Sequence, residues 1–281
     1  MALPRALRWL PAVALAAALA PASHGQFAEG GARTLALGRA GAALGGEAWG
    51  HVNAAARADL ATSRAAVQAS RAFGLGELSL GALAAAAPTP VGVIGLEART
   101  YGFDERRETR VRAGYARRLG LSPTRGLAVG LAVGVEPAST AGFGSETALL
   151  LDAGVQGQVV PGLRVGLAGR NLTGLGRSDS TNLRRSAAAV PGLTVGLAYA
   201  PSDRAVLVLD ADHDDDFGLS VRAGVEVLPV SALALRVGVS STPVRFTGGV
   251  GVATGPLRVD VAVELHETLG LTPAVGLEVS F

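Results

Sequence analysis

The chain has 281 residues, 49% of them hydrophobic and 17% charged, against about 25% charged in an ordinary soluble domain, which excludes a disordered chain. Its 39 glycines are about twice the usual share of roughly 7% and exclude a coiled coil, and they follow no collagen period. The formal net charge of +2 rests on Arg5 and Arg8, every basic residue is arginine, and no cysteine is present, so neither a nucleic-acid footprint nor thiol chemistry is expected.

Residues 1–25 read as a signal peptide. Arg5 and Arg8 form a basic region, Trp9 to Ala20 is apolar except for Pro11, and the small residues Pro21-Ala22-Ser23-His24-Gly25 follow. The apolar run is shorter than the roughly 18–20 residues a membrane span needs. Cleavage is expected after Ala22 or Gly25, leaving an exported chain that starts near Gln26. Residues 26–64 show no alternation. They contain Gly38-Arg39-Ala40-Gly41, Glu47-Ala48-Trp49, and Val52-Asn53-Ala54-Ala55-Ala56-Arg57-Ala58-Asp59-Leu60.

From about residue 65 the pattern becomes strict alternation, the mark of strands with one apolar face. Fourteen segments read this way: about 65–74, 76–87, 91–100, 108–119, 125–136, 146–159, 162–171, 193–200, 204–213, 217–228, 231–240, 243–253, 256–266 and 271–281. Leu257, Val259, Val261, Val263 and Leu265, for example, interleave with Arg258, Asp260, Ala262, Glu264 and His266. Ten residues at about 3.3 Å each, tilted by about 40°, cover roughly 25 Å, the height of an outer-membrane apolar band.

Every second connection is short and carries proline: Pro88 and Pro90, Pro123, Pro161, Pro201, Pro229 and Pro256. Three of the others are long: Tyr101 to Arg107, Pro137 to Ser145, and Leu172 to Gly192. Outer-membrane barrels have this asymmetry, with the short turns periplasmic. Fourteen strands are too many to close around a core of side chains, for which about eight suffice. The apolar row is therefore expected to face lipid and the polar row a lumen, with closure satisfying every backbone amide. The expected fold is all-β: a fourteen-stranded antiparallel transmembrane β-barrel over residues 65–281 in a bacterial outer membrane. Aromatics are 4% of residues, so Tyr115, Tyr199, Phe246 and Phe281 would form only sparse girdles.

The Gly-rich stretch, Ala48-Trp49 and the Asn53–Leu60 motif resemble the FadL-like outer-membrane proteins, and within them the PorV/PorQ-type branch, although Ala54 stands where that family has proline. Leu151-Asp152-Ala153-Gly154-Val155-Gln156, Gly169-Arg170-Asn171-Leu172 and the end of the chain at Phe281 are similar to the same family. The resemblance implies that residues 26–64 fold into the lumen as a plug, with Trp49, Asn53 and Leu60 as its motif. It implies recognition of Phe281 by the barrel-assembly machinery, and transport or protein secretion across the outer membrane. Partners would be outer-membrane lipid and either secretion-system proteins or a hydrophobic ligand. The alternatives are passive uptake of small hydrophobic compounds, or a soluble exported β-sandwich binding protein.

Lumen-lining positions expected from the polar rows are Arg164, Arg170, Arg222, Arg236, Arg245, Arg258, Asp260 and Glu264. Arg236, Arg245 and Arg258 lie on consecutive segments and are expected to form a basic patch. The acidic cluster Asp210, Asp212, His213, Asp214, Asp215 and Asp216 reads as a solvated hairpin tip. Of the histidines only His51, His213 and His266 survive processing, and none shows the partner pattern of a Ser-His-Asp triad. No catalytic residue, cofactor or metal is expected.

Overall fold

The computed structural model describes residues 30–122, 125–142, 144–174 and 190–281. The leader read at residues 1–25 lies outside them. Fourteen strands follow one another: β1 (Arg64–Arg71), β2 (Ser79–Thr89), β3 (Gly92–Gly102), β4 (Arg106–Ser122), β5 (Arg125–Thr140), β6 (Gly144–Val160) and β7 (Leu163–Arg170), then β8 (Gly192–Ser202), β9 (Ala205–Asp214), β10 (Gly218–Val230), β11 (Leu233–Ser241), β12 (Val244–Thr254), β13 (Leu257–His266) and β14 (Gly270–Ser280). Each pairs antiparallel with its neighbours in sequence, and β1 pairs with β14 to close the barrel.

Alternation sets which side chains face out. On β13 Val261 is 56% exposed and Asp260 5%; on β11 Val237 is 63% exposed and Arg236 4%. In water this would be an inverted protein. It becomes stable when the Val and Leu rows meet hydrocarbon.

One end of the barrel has two-residue connections, as between Thr89 and Gly92 or Thr254 and Leu257, and both ends of the sheet, Arg64 and Ser280, lie there. This inner end is tied off by Phe281, whose backbone N–H donates to the Ser63 carbonyl at 2.9 Å.

The outer end corrects two of the expected loops. Tyr101–Arg107 and Pro137–Ser145 are largely strand: β4, β5 and β6 run 17, 16 and 17 residues, so only residues 103–105 lie between β3 and β4 and only 141–143 between β5 and β6. Beyond the apolar band no face has to be greasy, so the alternation that reveals a strand in sequence disappears while the backbone pairing continues. Most of the third expected loop, residues 175–189, lies outside the described residues.

Residues 30–63 run inside the barrel. A short helix α1 (Gly31–Ala36) packs Ala32, Leu35 and Ala36 on Ala262 and Ala274. Leu37, Ala40, Ala43 and Leu44 then meet Ala198 and Val208, and Ala48 and Trp49 meet Ala66 and Ala84. A 3-10 turn (Ala54–Asp59) follows, capped by the Asn53 side chain, which accepts from the Ala55 N–H. Leu60 finally packs on Ala86 and Val93 at the inner end. The small inward side chains of the wall leave room for this segment. A Cβ at Gly130 would overlap the Ala54–Ala55 backbone, and one at Gly238 the Leu37–Gly38 backbone.

Candidate functional site

The lumen is where the charged rows converge. The N-terminal segment brings Arg33, Arg39, Glu47, Arg57 and Asp59 to it, and each meets an opposite charge. Arg33 joins Glu47 beside it and Glu226 on β10. Arg39 grips Glu264 on β13 with two prongs of 2.7 and 2.8 Å. Arg57, fully enclosed, pairs with Glu97 on β3 and donates to the Ala48 carbonyl at 2.9 Å. Asp59 bridges Arg118 on β4 and Arg164 on β7.

Hydrogen bonds to the segment's backbone complete the fastening. Asp210 on β9 accepts the backbone N–H groups of Gly41 at 2.7 Å and Ala42 at 2.9 Å. The Gln156 amide on β6 donates to the Ala42 and Leu44 carbonyls, and the Asn53 amide donates to the Ala42 carbonyl at 2.7 Å. Burial by itself would raise the Glu47 carboxyl, but Arg33 and then Arg258 hold it below the usual carboxylate range. Burial likewise opposes ionisation of Asp59, and its hydrogen bond from Arg118 together with the Arg164 charge outweighs it, so its pKa is lowered.

The residues expected along the polar rows lie as follows. Arg164 reaches Asp59 and Gln156; Arg170 and Arg222 both pair with Asp212 at 2.6 Å. Arg236 joins Glu226 and Asp260, and Arg245 approaches Glu264 at 3.5 Å. Arg258 reaches Asp260, Glu278 and, at 4.0 Å, Glu47. Of the expected plug motif, Trp49, Asn53 and Leu60 are all buried against the wall.

Two expectations change. Arg236, Arg245 and Arg258 do not form one basic patch. Register puts Arg245 opposite His266 at the outer end of β13 and Arg258 opposite Ala253 near the inner end, and carboxylates stand among them: Asp260 between Arg236 and Arg258, Glu264 beside Arg245. The acidic cluster is not a solvated tip either. Asp210, Asp212 and Asp214 share the inward phase of β9 and are buried, with Thr194 donating to Asp212 at 2.5 Å, while Asp215 is exposed at the turn. Sequence reasoning missed Arg33, Arg39, Arg57 and Asp59 as partners of the wall. The available signal was the glycines at 130, 154, 166, 224 and 238, which mark where a backbone lies against the wall.

Among the described residues, two cavities between segment and wall hold about 20 Å³ and about 10 Å³, room for little more than water. The larger is lined by Trp49, His51 and Leu80 on one side and by Arg99 and Arg110 on another.

No protein-family model matches the chain, and no curated protein sequence does. Solved structures do match in shape. A monoaromatic hydrocarbon channel, CymD, superposes with a TM-score of 0.63 at 12% identity over 89% of this chain and 97% of that one. The Pseudomonas putida toluene transporter TodX gives 0.61 at 11% identity over 90% and 98%. A Pseudomonas aeruginosa FadL homologue gives 0.60 at 11% identity over 89% and 98%. The chain shares the barrel fold of these three proteins. At these identities the likeness establishes architecture, and with the apolar outer band it makes this an outer-membrane barrel.

Proposed function

We propose that this protein is an outer-membrane barrel of FadL-like type, working in transport or protein secretion, with its lumen held shut at rest by residues 30–63. The observation that carries the reading is the set of ion pairs from that one segment to β3, β4, β7, β10 and β13. An open diffusion pore has no use for a segment fastened to its wall on so many sides. Within this reading the PorV/PorQ-type branch is favoured, because the inward rows are ionic and the two cavities described beside the segment are small. The barrel then serves as a docking or shuttle component for secretion proteins. Phe281, at the inner rim and 75% exposed, is the feature available to the assembly machinery.

Passive uptake of small hydrophobic compounds is the second reading. CymD and TodX are described as a hydrocarbon channel and a toluene transporter, and Trp49 and Leu80 give one cavity an apolar side. Two measurements separate the readings. In planar bilayers the intact protein should show no steady conductance, and removing residues 30–60 should open it; a stable open pore in the intact protein would overturn the closed state. Accelerated entry of a monoaromatic hydrocarbon into proteoliposomes would favour uptake. Co-purification of other secretion proteins with the barrel, together with no such entry, would favour secretion.

A further inference from the structure

The connection between β1 and β2 does not continue the barrel wall. β14 runs on past Ala274, its last partner on β1, to Gly270, so its outer four residues have no β1 residue paired with them. There the chain turns inward through two 3-10 turns, Ala72–Gly74 and Gly76–Leu78. Phe73 lands on two groups that face the lumen. Its backbone N–H donates to Thr272 Oγ1 at 3.0 Å. Its ring meets the His266 imidazole edge-on, with centroids 5.7 Å apart at 85°, a favoured aromatic geometry. Thr272 and His266 are both buried. The imidazole is itself fixed, since its Nδ1 accepts the backbone N–H groups of Thr268 and Leu269 at 3.2 Å.

Phe73 holds φ 55° and ψ 21°, a left-handed backbone that a bulky side chain disfavours. The two docking contacts impose it; without them the chain relaxes towards negative φ and the ring leaves its seat. The following residues are free to move with it. Gly74 has φ 73°, a Cβ on Gly74 or Gly76 would meet nothing within 4 Å, and Leu75 between them is exposed. A docked ring in a strained conformation, followed by an unpacked Gly-Leu-Gly tip, supplies both a latch and a hinge. At its far end the connection lies beside β3, so it spans the outer rim from β3 to β13. Leu80 and Ala82 follow on β2, and both line the cavity beside Trp49 and His51.

We propose that Ala72–Leu78 is a hinged lid over this side of the outer mouth, latched by Phe73 on His266 and Thr272, whose release admits small solutes from outside to the cavity beside Trp49. It is a closure separate from the ion pairs of residues 30–63, and it stands whether the barrel serves secretion or uptake.

The chain has no cysteine, so single thiols report access cleanly. Ala82→Cys places one in the cavity wall, and Ala86→Cys places one against Leu60 at the inner end. The rate of modification by a small, negatively charged methanethiosulfonate is measured on the intact barrel in detergent. Folding of every variant is checked by heat-dependent gel mobility. With Phe73 in place both thiols should react slowly. Phe73→Ala should speed the reaction at position 82 at least tenfold and leave position 86 unchanged, while Phe73→Tyr, which keeps the ring, should stay slow at both. A thiol at position 82 that is equally slow in Phe73→Ala, or already fast with Phe73 present, would overturn the proposal. So would equal acceleration at both positions, which marks general loosening of the barrel. If Phe73→Ala fails to fold, Thr272→Val carries the same expectation.

Discussion

Arg39 and Glu264 form a two-pronged ion pair deep in the barrel, with Nε–Oε2 at 2.7 Å and Nη2–Oε1 at 2.8 Å, both side chains almost wholly buried. Arg39 holds a left-handed backbone (φ 66°), uncommon for a residue with a side chain. The tertiary contact therefore fixes a conformation that the local chain disfavours. Glu264 also faces Arg245 at 3.5 Å, so the two halves of the pair are not equivalent.

Removing the carboxylate should cost more than removing the arginine. Glu264→Leu removes the carboxylate that two buried guanidinium groups face and should destabilise by about 3–5 kcal/mol. Arg39→Met leaves Glu264 its second arginine and should cost about 1–3 kcal/mol. Urea unfolding in detergent reads the difference; equal costs would contradict this asymmetry.

Gly130 is where the wall admits the 3-10 turn, since a Cβ there would overlap the Ala54–Ala55 backbone. Gly130→Leu should push that turn aside while the strand pairs of β4, β5 and β6 persist. Planar-bilayer recordings should then show conductance steps that wild type lacks, with heat-dependent gel mobility unchanged. Silence in this variant would mean that the turn does not close the pore.

Asp59 fastens the inner end through Arg118 and Arg164. Its carboxyl is held below the ordinary aspartate value of about 3.9, so the stability it contributes is present above that pH and lost as pH falls through the lower folded value. A spin label on Ala58→Cys should stay ordered from neutral pH down to about pH 4 and become mobile below it. Asp59→Asn should make the same label mobile at every pH. A label insensitive to both would remove Asp59 from the closure.

Val261 lies midway along β13, facing out. Val261→Arg should destabilise the barrel in lipid vesicles by about 2–4 kcal/mol, as a cation at the bilayer midplane does. Spin labels should report the same geometry, with position 261 accessible to oxygen dissolved in the bilayer and position 260 shielded. The reverse accessibility would turn the barrel inside out.

Most of the fold is written locally. Strands from β7 onwards fall close to their sequence boundaries because each must keep a greasy row facing lipid, and that demand leaves a period of two in the residues themselves. Where the demand stops, as on Arg106–Arg107 and Pro137–Thr140, the strand goes on but the signal does not. On β9 the signal was present: Asp210, Asp212 and Asp214 alternate with Leu209, Ala211 and His213, so all three acids share one face. A local count of charges hid that phase.

The sequence by itself determined the class of solvent on each face of the sheet, the number of strands and the end that carries the short turns, because all three depend on neighbours one or two residues apart. Only the tertiary structure decided which arginine meets which carboxylate, how residues 30–63 fasten to the wall, and where glycine lets a backbone lie against a strand. Those contacts join Arg39 to Glu264 and Gly38 to Ala223 and Val239, groups separated by some two hundred residues. Burial forces each charge to find a partner, but the partner is chosen by the closure of the barrel and the stagger of its strands, which no short stretch of chain encodes.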